Sequence, residues 1–165
     1  MKSFKIVVPA LALLGLGACS KTPQSNLPPE YQVAKYYAKD LDVNLDSMTM
    51  HKDGLFVRDM VVGTGSRADS GDIVFVKYTG WLPDGTQFDS NADSEGLFST
   101  AIGYGQVIKG WDEGVVGMHV GGHRMLVVPP ALAYGTSRRG SIPANSTLVF
   151  DVQLDSVVNR TAEGS

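Results

Sequence analysis

Thr147-Leu-Val-Phe-Asp-Val-Gln-Leu-Asp-Ser-Val157 alternates with a period of two. Leu148, Phe150, Val152 and Leu154 fall on one side, and Asp151, Gln153 and Asp155 on the other. A strand with one buried and one wet face reads this way, as antiparallel sheets require. The same period recurs upstream. From Ile73 to Leu82, Val74, Val76 and Tyr78 share one face, opposite Phe75 and Lys77. Pro83-Asp84-Gly85 is a strong turn signal, so Gln87-Phe88 begins a return strand. Gly54 to Val62 has strand character and ends at Gly63-Thr-Gly65. His123 to Val128 is another strand-like run and stops at Pro129-Pro130. Only one segment is convincing as a helix. Ile108, Trp111 and Val115 recur at three and four residues, with Asp112 and Glu113 on the polar side. One short helix against several antiparallel strands predicts an α+β domain over residues 54–158.

The chain has 165 residues, 43% of them hydrophobic, which suffices for one domain with some chain left over. Its formal charge of −3 disfavours nucleic-acid binding, which needs a basic face. Nineteen Gly and eight Pro fit a fold of turns and short strands. The single cysteine excludes an internal disulfide framework. His119 and His123 are four apart, but Gly121-Gly122 between them disfavours the helix that would pair them on a metal. No G-x-S-x-G elbow, phosphate-binding G-x-x-x-x-G-K-[ST] loop or H-E-x-x-H pair occurs. Gly103-Tyr-Gly105-Gln-Val-Ile-Lys-Gly110 has the wrong spacing for a dinucleotide loop. Acyl transfer and metal-assisted hydrolysis are therefore disfavoured, and no cofactor or metal is expected.

Residues 1–53 lie outside the predicted domain. Lys2 and Lys5 precede an uncharged apolar run from Ile6 to Ala18, the order of a secretory signal and too short to span a bilayer. Leu16-Gly17-Ala18-Cys19 resembles the lipobox of bacterial lipoproteins. The resemblance implies a signal peptide over residues 1–18 and lipidation of Cys19. Membrane anchoring would then come through that lipid. Ser20 after the cysteine leans towards the outer membrane, with the domain facing the periplasm. Loss of Lys2 and Lys5 leaves 12 basic against 17 acidic residues, so the lipid rather than a basic patch must hold the membrane. Residues 19–53 read as a tether, interrupted by Pro23, Pro28 and Pro29, that reaches about 110 Å when stretched. Within it Val33, Tyr36, Tyr37 and Leu41 have the spacing of one short amphipathic helix. Residues 159–165 are read as a tail.

Six blocks remain in the domain: Val76-Lys-Tyr-Thr-Gly80, Phe88-Asp-Ser90, Gln106-Val-Ile-Lys-Gly-Trp111, Leu132-Ala-Tyr-Gly135, Ser141-Ile-Pro143 and Thr147-Leu-Val-Phe-Asp151. In this order and spacing they resemble the FKBP-type peptidyl-prolyl cis/trans isomerases. The resemblance covers residues 54–158. It implies a curved antiparallel sheet wrapped around the short helix, with an apolar pocket between them. By the same resemblance Trp111 is the pocket floor, and Tyr78, Phe88, Phe98, Val107, Ile108 and Phe150 are walls. Asp89 and Tyr134 make polar contacts at the rim, the Ile108 N–H meets a substrate carbonyl, and Ile142 overhangs the pocket. Tyr78, Asp89, Ile108 and Tyr134 are the implied catalytic set. The implied partners are proline-containing unfolded or flexible polypeptides and macrolide inhibitors.

The implied reaction is rotation about an X–Pro bond. It breaks no covalent bond and needs no general base. A dry pocket disfavours the polar planar amide more than the twisted one, and walls shaped to the twisted conformer bind it preferentially. Three departures stand out. Thr100 replaces the second aromatic of the usual Phe-x-Phe pair, Leu132 replaces an aromatic, and Ser94 stands near where small eukaryotic members carry an Arg that can pair with the Asp. Asp89 then needs another partner. Arg138 and Arg139 occupy a loop about one residue shorter than in those members. Two other readings stay open: a binding module that holds proline segments with little turnover, and a structural lipoprotein that uses the domain as a spacer. Oligomeric state is also left open.

Overall fold

The computed structural model describes residues 37–159. Seven strands form one antiparallel sheet: β1 (Thr49–Met50), β2 (Phe56–Val61), β3 (Ile73–Trp81), β4 (Gln87–Ser90), β5 (Phe98–Ala101), β6 (His123–Val128) and β7 (Leu148–Val158). The order is β1-β2-β6-β7-β3-β4, with β5 sharing the β4 edge of β3. The helix α1 (Lys109–Gly114) packs against the inner face of this curved sheet. The α+β architecture is the one the alternating segments predict. Strands β3, β6 and β7 occupy the centre because their inward side chains carry the core. Val74, Val76, Leu126, Val128, Leu148, Val152 and Leu154 are all 1% exposed or less.

Helix α1 has six residues and no side-chain cap at Ile108, too short to persist alone, so packing must hold it. Gly110 and Gly114, one turn apart, allow a close approach. A Cβ on Gly110 would lie 2.4 Å from Val128 Cγ1, and one on Gly114 would lie 2.8 Å from Leu126 Cδ2. Trp111 and Val115 then reach the core at 4% and 0% exposure. At the far end Arg124 Nη1 donates to the carbonyls of Gly114 (2.8 Å) and Val116 (3.3 Å). That cation meets the negative end of the helix, and its other nitrogens grip Asp59 at 2.7 and 3.1 Å. Asp112 accepts from the N–H groups of Gly103 and Gly105, both at 2.8 Å, which ties the preceding loop to the helix.

The folded region begins before residue 54. Residues 37–53, read from the sequence as tether, are packed in the structure, with buried Tyr37, Leu41 and Met48. The reason lies on the outer face of the sheet. Phe56, Met125, Val127 and Val149 point away from the main core yet are 0–6% exposed. The N-terminal segment lies over this face. Arg58, opposite Met125 in register, donates to the Asp42 carbonyl (2.9 Å), the Asp42 carboxylate (3.1 Å) and Ser47 Oγ (3.2 Å). The Ala38 N–H donates to the Pro83 carbonyl at 2.7 Å, and β1 pairs with β2. The face expected to be wet is therefore covered where Val149 sits. Of the segment expected as an amphipathic helix, the described part forms a 3₁₀ turn at Lys39–Leu41. Val33, Tyr36, the signal segment 1–18, Cys19 and residues 160–165 lie outside the described residues.

Candidate active site

Between α1, its preceding loop and the inner face of β3, β4, β5 and β7 lies a cavity of about 240 Å³. Trp111 forms its base, 4% exposed and held by three rings. Tyr78 (5.2 Å between centroids), Phe150 (5.5 Å) and Phe98 (6.0 Å) all meet it edge-on, at 82–90°. Phe88 stands edge-on to Phe150 at 5.6 Å, and Tyr78 edge-on to Phe98 at 5.6 Å. Such T-shaped pairs fix ring orientation as well as burying area. Gly80 makes the arrangement possible, because a Cβ there would meet Phe88 Cζ at 2.6 Å and Phe150 Cε1 at 2.9 Å.

Polar groups sit at the edge. The Tyr78 hydroxyl donates to the Asp89 carboxylate at 2.6 Å. Burial, then the bond to Asp89, pushes the phenol well above its ordinary range, so Tyr78 stays a neutral donor at any working pH. No described carbonyl or side chain accepts from the Ile108 N–H, which precedes the first turn of α1. Val107, Ile108, Gln106 and Tyr134 complete the lining. The lining holds no histidine or cysteine. It offers an apolar slot, one fixed phenol–carboxylate pair and one backbone donor, which suits binding and distortion of an amide rather than bond cleavage.

The residues that give this cavity its shape lie within a segment that matches a known family. Residues 65–155, more than half of the chain, match the FKBP-type peptidyl-prolyl cis-trans isomerase family. The chain belongs to this family. It is 46% identical over 102 residues to the FK506-binding protein of Neisseria meningitidis serogroup B, covering 61% of this chain and 94% of that one. It is 54% identical over 101 residues to FK506-binding protein 4 of Gibberella zeae, again over 61% of this chain but only 20% of that one. The chain thus spans about a fifth of the length of the fungal relatives it matches. Among solved structures, FkpA from Escherichia coli superposes with a TM-score of 0.63 at 39% identity, over 67% of this chain and 51% of that one. AtFKBP13 superposes with a TM-score of 0.61 at 36% identity, over 67% of this chain and 98% of that one.

Within the FKBP-type domain, Tyr78, Phe88, Asp89, Phe98, Val107, Ile108, Trp111, Tyr134 and Phe150 come together around the one cavity. Ile142 does not join them. Its side chain turns into the main core at 6% exposure, because the strand-like pairing with Arg139 aims it inward. Thr100 also lies off the lining, buried at 6%, so the missing second aromatic falls behind the wall rather than on it. With Ser94 in place of an Arg, Tyr78 is the partner that holds Asp89. Three further residues shape the site through contacts the sequence did not specify. Gln106 lines the cavity and accepts from the Ala101 N–H at 3.3 Å. Lys77 Nζ gathers the carbonyls of Asn91, Ser94 and Gly96 and so shapes the loop between β4 and β5. Arg139 lies over the Tyr134 ring, 5.7 Å from its centroid. The two histidines of the β6 region are otherwise engaged, His123 with Asp151 and His119 with the Gly65 carbonyl.

Proposed function

We propose that the chain is a peptidyl-prolyl cis/trans isomerase that acts on folding or flexible proteins of a cell envelope, held at the membrane by lipid on Cys19. The observation that carries the activity is the aromatic cavity over Trp111, edged by the Tyr78–Asp89 pair and the unpaired Ile108 N–H. Amide resonance sets a barrier of about 18–20 kcal/mol to rotation. In the twisted transition state the carbonyl loses charge separation and the nitrogen becomes pyramidal. Transfer from water into the ring-lined slot costs the planar amide more than the twisted one. The Ile108 N–H orients the peptide by donating a hydrogen bond to its carbonyl. Tyr78 and Asp89 fix the polar edge without exchanging a proton, since the phenol remains neutral. The rings favour the twisted shape, which is differential binding of the transition state.

The test is isomerisation of a short Leu-Pro or Phe-Pro peptide by the purified protein, beside Tyr78→Ala and Asp89→Ala. Acceleration that both variants and a macrolide suppress supports the reading. A well-folded protein with no rate above background leaves the binding-module reading in its place. Anchoring rests on the Leu16-Gly17-Ala18-Cys19 pattern. Cys19→Ser should abolish incorporation of labelled fatty acid and move the protein from the membrane to the soluble fraction. Retention of both label and membrane association refutes the lipid anchor.

A further inference from the structure

We propose that Arg139 selects proline substrates with an acidic side chain close to the proline; this rests on the isomerase reading above. The loop that carries Arg139 is built rather than loose. Its base is closed by the Asn145 N–H donating to the Gly135 carbonyl at 2.7 Å. Its tip is a two-residue turn in which Arg139 and Ile142 exchange backbone hydrogen bonds of 3.0 and 2.8 Å. Gly140 supplies the positive φ, +54°, that such a turn needs. Ile142 plugs into the core, so the residue opposite it is fixed in place.

Arg139 leaves this turn towards the cavity edge. Its guanidinium lies over the ring of Tyr134, a lining residue. The stacking orients the planar cation but leaves its charge unneutralised. Among the described residues neither Arg138 nor Arg139 pairs with a carboxylate. Arg138 turns back on its own loop, donating to the Gly140 carbonyl at 3.2 Å. The carboxylate at the cavity edge, Asp89, is engaged by the Tyr78 hydroxyl. In a chain with 17 acidic and 14 basic residues, Arg139 lies over a cavity-lining ring with no acidic partner of its own. A peptide seated by its proline over Trp111 must pass this edge. A carboxylate on one of its flanking residues meets an oriented guanidinium there, and an ammonium is repelled.

The experiment uses the full chain and a set of Leu-Pro peptides. Glu, Gln or Lys is placed in turn before the leucine, directly after the proline and one residue further on. Relative kcat/KM comes from exchange NMR, with no coupling protease. At one position at least, Glu should exceed Gln by about two- to fivefold, as an exposed ion pair allows, and Lys should fall below Gln. The Glu/Gln ratio should shrink in 0.5 M salt. Arg139→Gln should bring the ratio to about one, and Arg139→Lys should leave an intermediate value because charge is kept and planarity lost. A Glu/Gln ratio near one at every position, with the Gln peptides turned over normally, overturns the selectivity and spares the isomerase. A Glu preference that survives Arg139→Gln overturns the assignment to this residue. Absence of turnover for every peptide overturns the isomerase reading and this proposal with it.

Discussion

Gly80→Ala probes the aromatic cavity from behind. The backbone at Gly80 is ordinary strand, so alanine meets no conformational penalty there and should gain about 0.5–1 kcal/mol from a stiffer unfolded chain. Against this stands the contact. The new Cβ would lie 2.6 and 2.8 Å from Phe88 Cζ and Cε2 and 2.9 Å from Phe150 Cε1, where carbon atoms prefer about 3.5–4.0 Å. Both rings must retreat by about 1 Å. Phe150 is 5% exposed and wedged against Trp111, so it cannot move far. Phe88 is half-buried and has solvent beside it, so most of the displacement falls there. Overpacking of this kind costs about 1–3 kcal/mol, which outweighs the entropic gain and leaves a net loss of about 0.5–2 kcal/mol. The Tm should fall by about 3–10 °C. Isomerisation of a Leu-Pro peptide should fall about tenfold at a temperature where the variant is still folded, because the displaced ring is cavity wall. Gly96→Ala is the control. A Cβ there has nothing within 4 Å, so the rate should stay unchanged and Tm should hold or rise slightly through the same stiffening of the unfolded chain. If Gly80→Ala matches the wild type in both measurements, Phe88 is not held by the close approach at Gly80, and the account of the wall is wrong.

Glu113 is raised to about 7, first by the neighbouring Asp53 carboxyl and then by burial, while the same neighbour lowers Asp53. Glu113 thus contributes stability that is full below its ordinary value of 4.5 and is lost as pH rises through about 7. Asp53 contributes above its ordinary value of 3.8 and loses that as pH falls. Thermal melts should therefore decline from pH 5 to pH 8, and Glu113→Gln should remove the decline and raise Tm at pH 8. Both side chains are exposed, so the change should be about one to two degrees; an unaltered pH profile in the variant counts against the pairing. Lys77→Met removes a cation that serves three carbonyls of the 91–96 loop. Urea melts should show a loss of about 1–2 kcal/mol, and a variant as stable as wild type speaks against the loop being held this way. Asp112→Ala frees the N–H groups of Gly103 and Gly105, so hydrogen exchange at these two amides should quicken at least tenfold while the β6 and β7 amides keep their protection. Unchanged exchange at both glycines rejects the clamp.

Several elements were legible because a single physical pattern marked each one. The period of two in Leu148, Phe150, Val152 and Leu154 needs no tertiary knowledge, and Pro83-Asp84-Gly85 is a turn in any context. Gly85 indeed takes a φ of +90°, and Asp84 accepts from the Thr86 N–H at 2.9 Å. Strands β1 and β5 were not legible. Thr49–Met50 is too short to show a period, and Phe98–Ala101 mixes Ser and Thr with its apolar residues. Each is a strand only because β2 or β3 offers it an edge. The packed segment 37–53 was hidden for another reason. Its partner surface is the outer face of the central strands, and only the register of β6 and β7 shows Val127 and Val149 both facing it. In the site, the aromatic residues were legible as a set through the family's blocks. Ile142 came from the same blocks, but its side-chain direction depends on the two-residue turn at Gly140-Ser141, which fixed spacing does not reveal. Lys77 and Arg139 act through backbone carbonyls and a ring face, partners that leave no trace in residue identity.

The way α1 is held constrains how this site can vary. Six residues cannot keep helical form alone, so the position of Trp111 depends on the contacts that press the helix to the sheet. Those contacts are the bare faces of Gly110 and Gly114, the grip of Arg124 on the last carbonyls and the clamp of Asp112 on the preceding loop. Trp111 is at once core residue and cavity base, and Phe150 is at once an inward residue of β7 and a cavity wall. A substitution that reshapes the base must therefore repack the core, and overpacking or cavities there cost about 1–5 kcal/mol. The rim is free of this coupling. Arg139 lies over a lining ring at the cavity edge while exposed to solvent, so its side chain can change at small cost to stability. Change at the cavity base is thus tied to the core, and change at Arg139 is not.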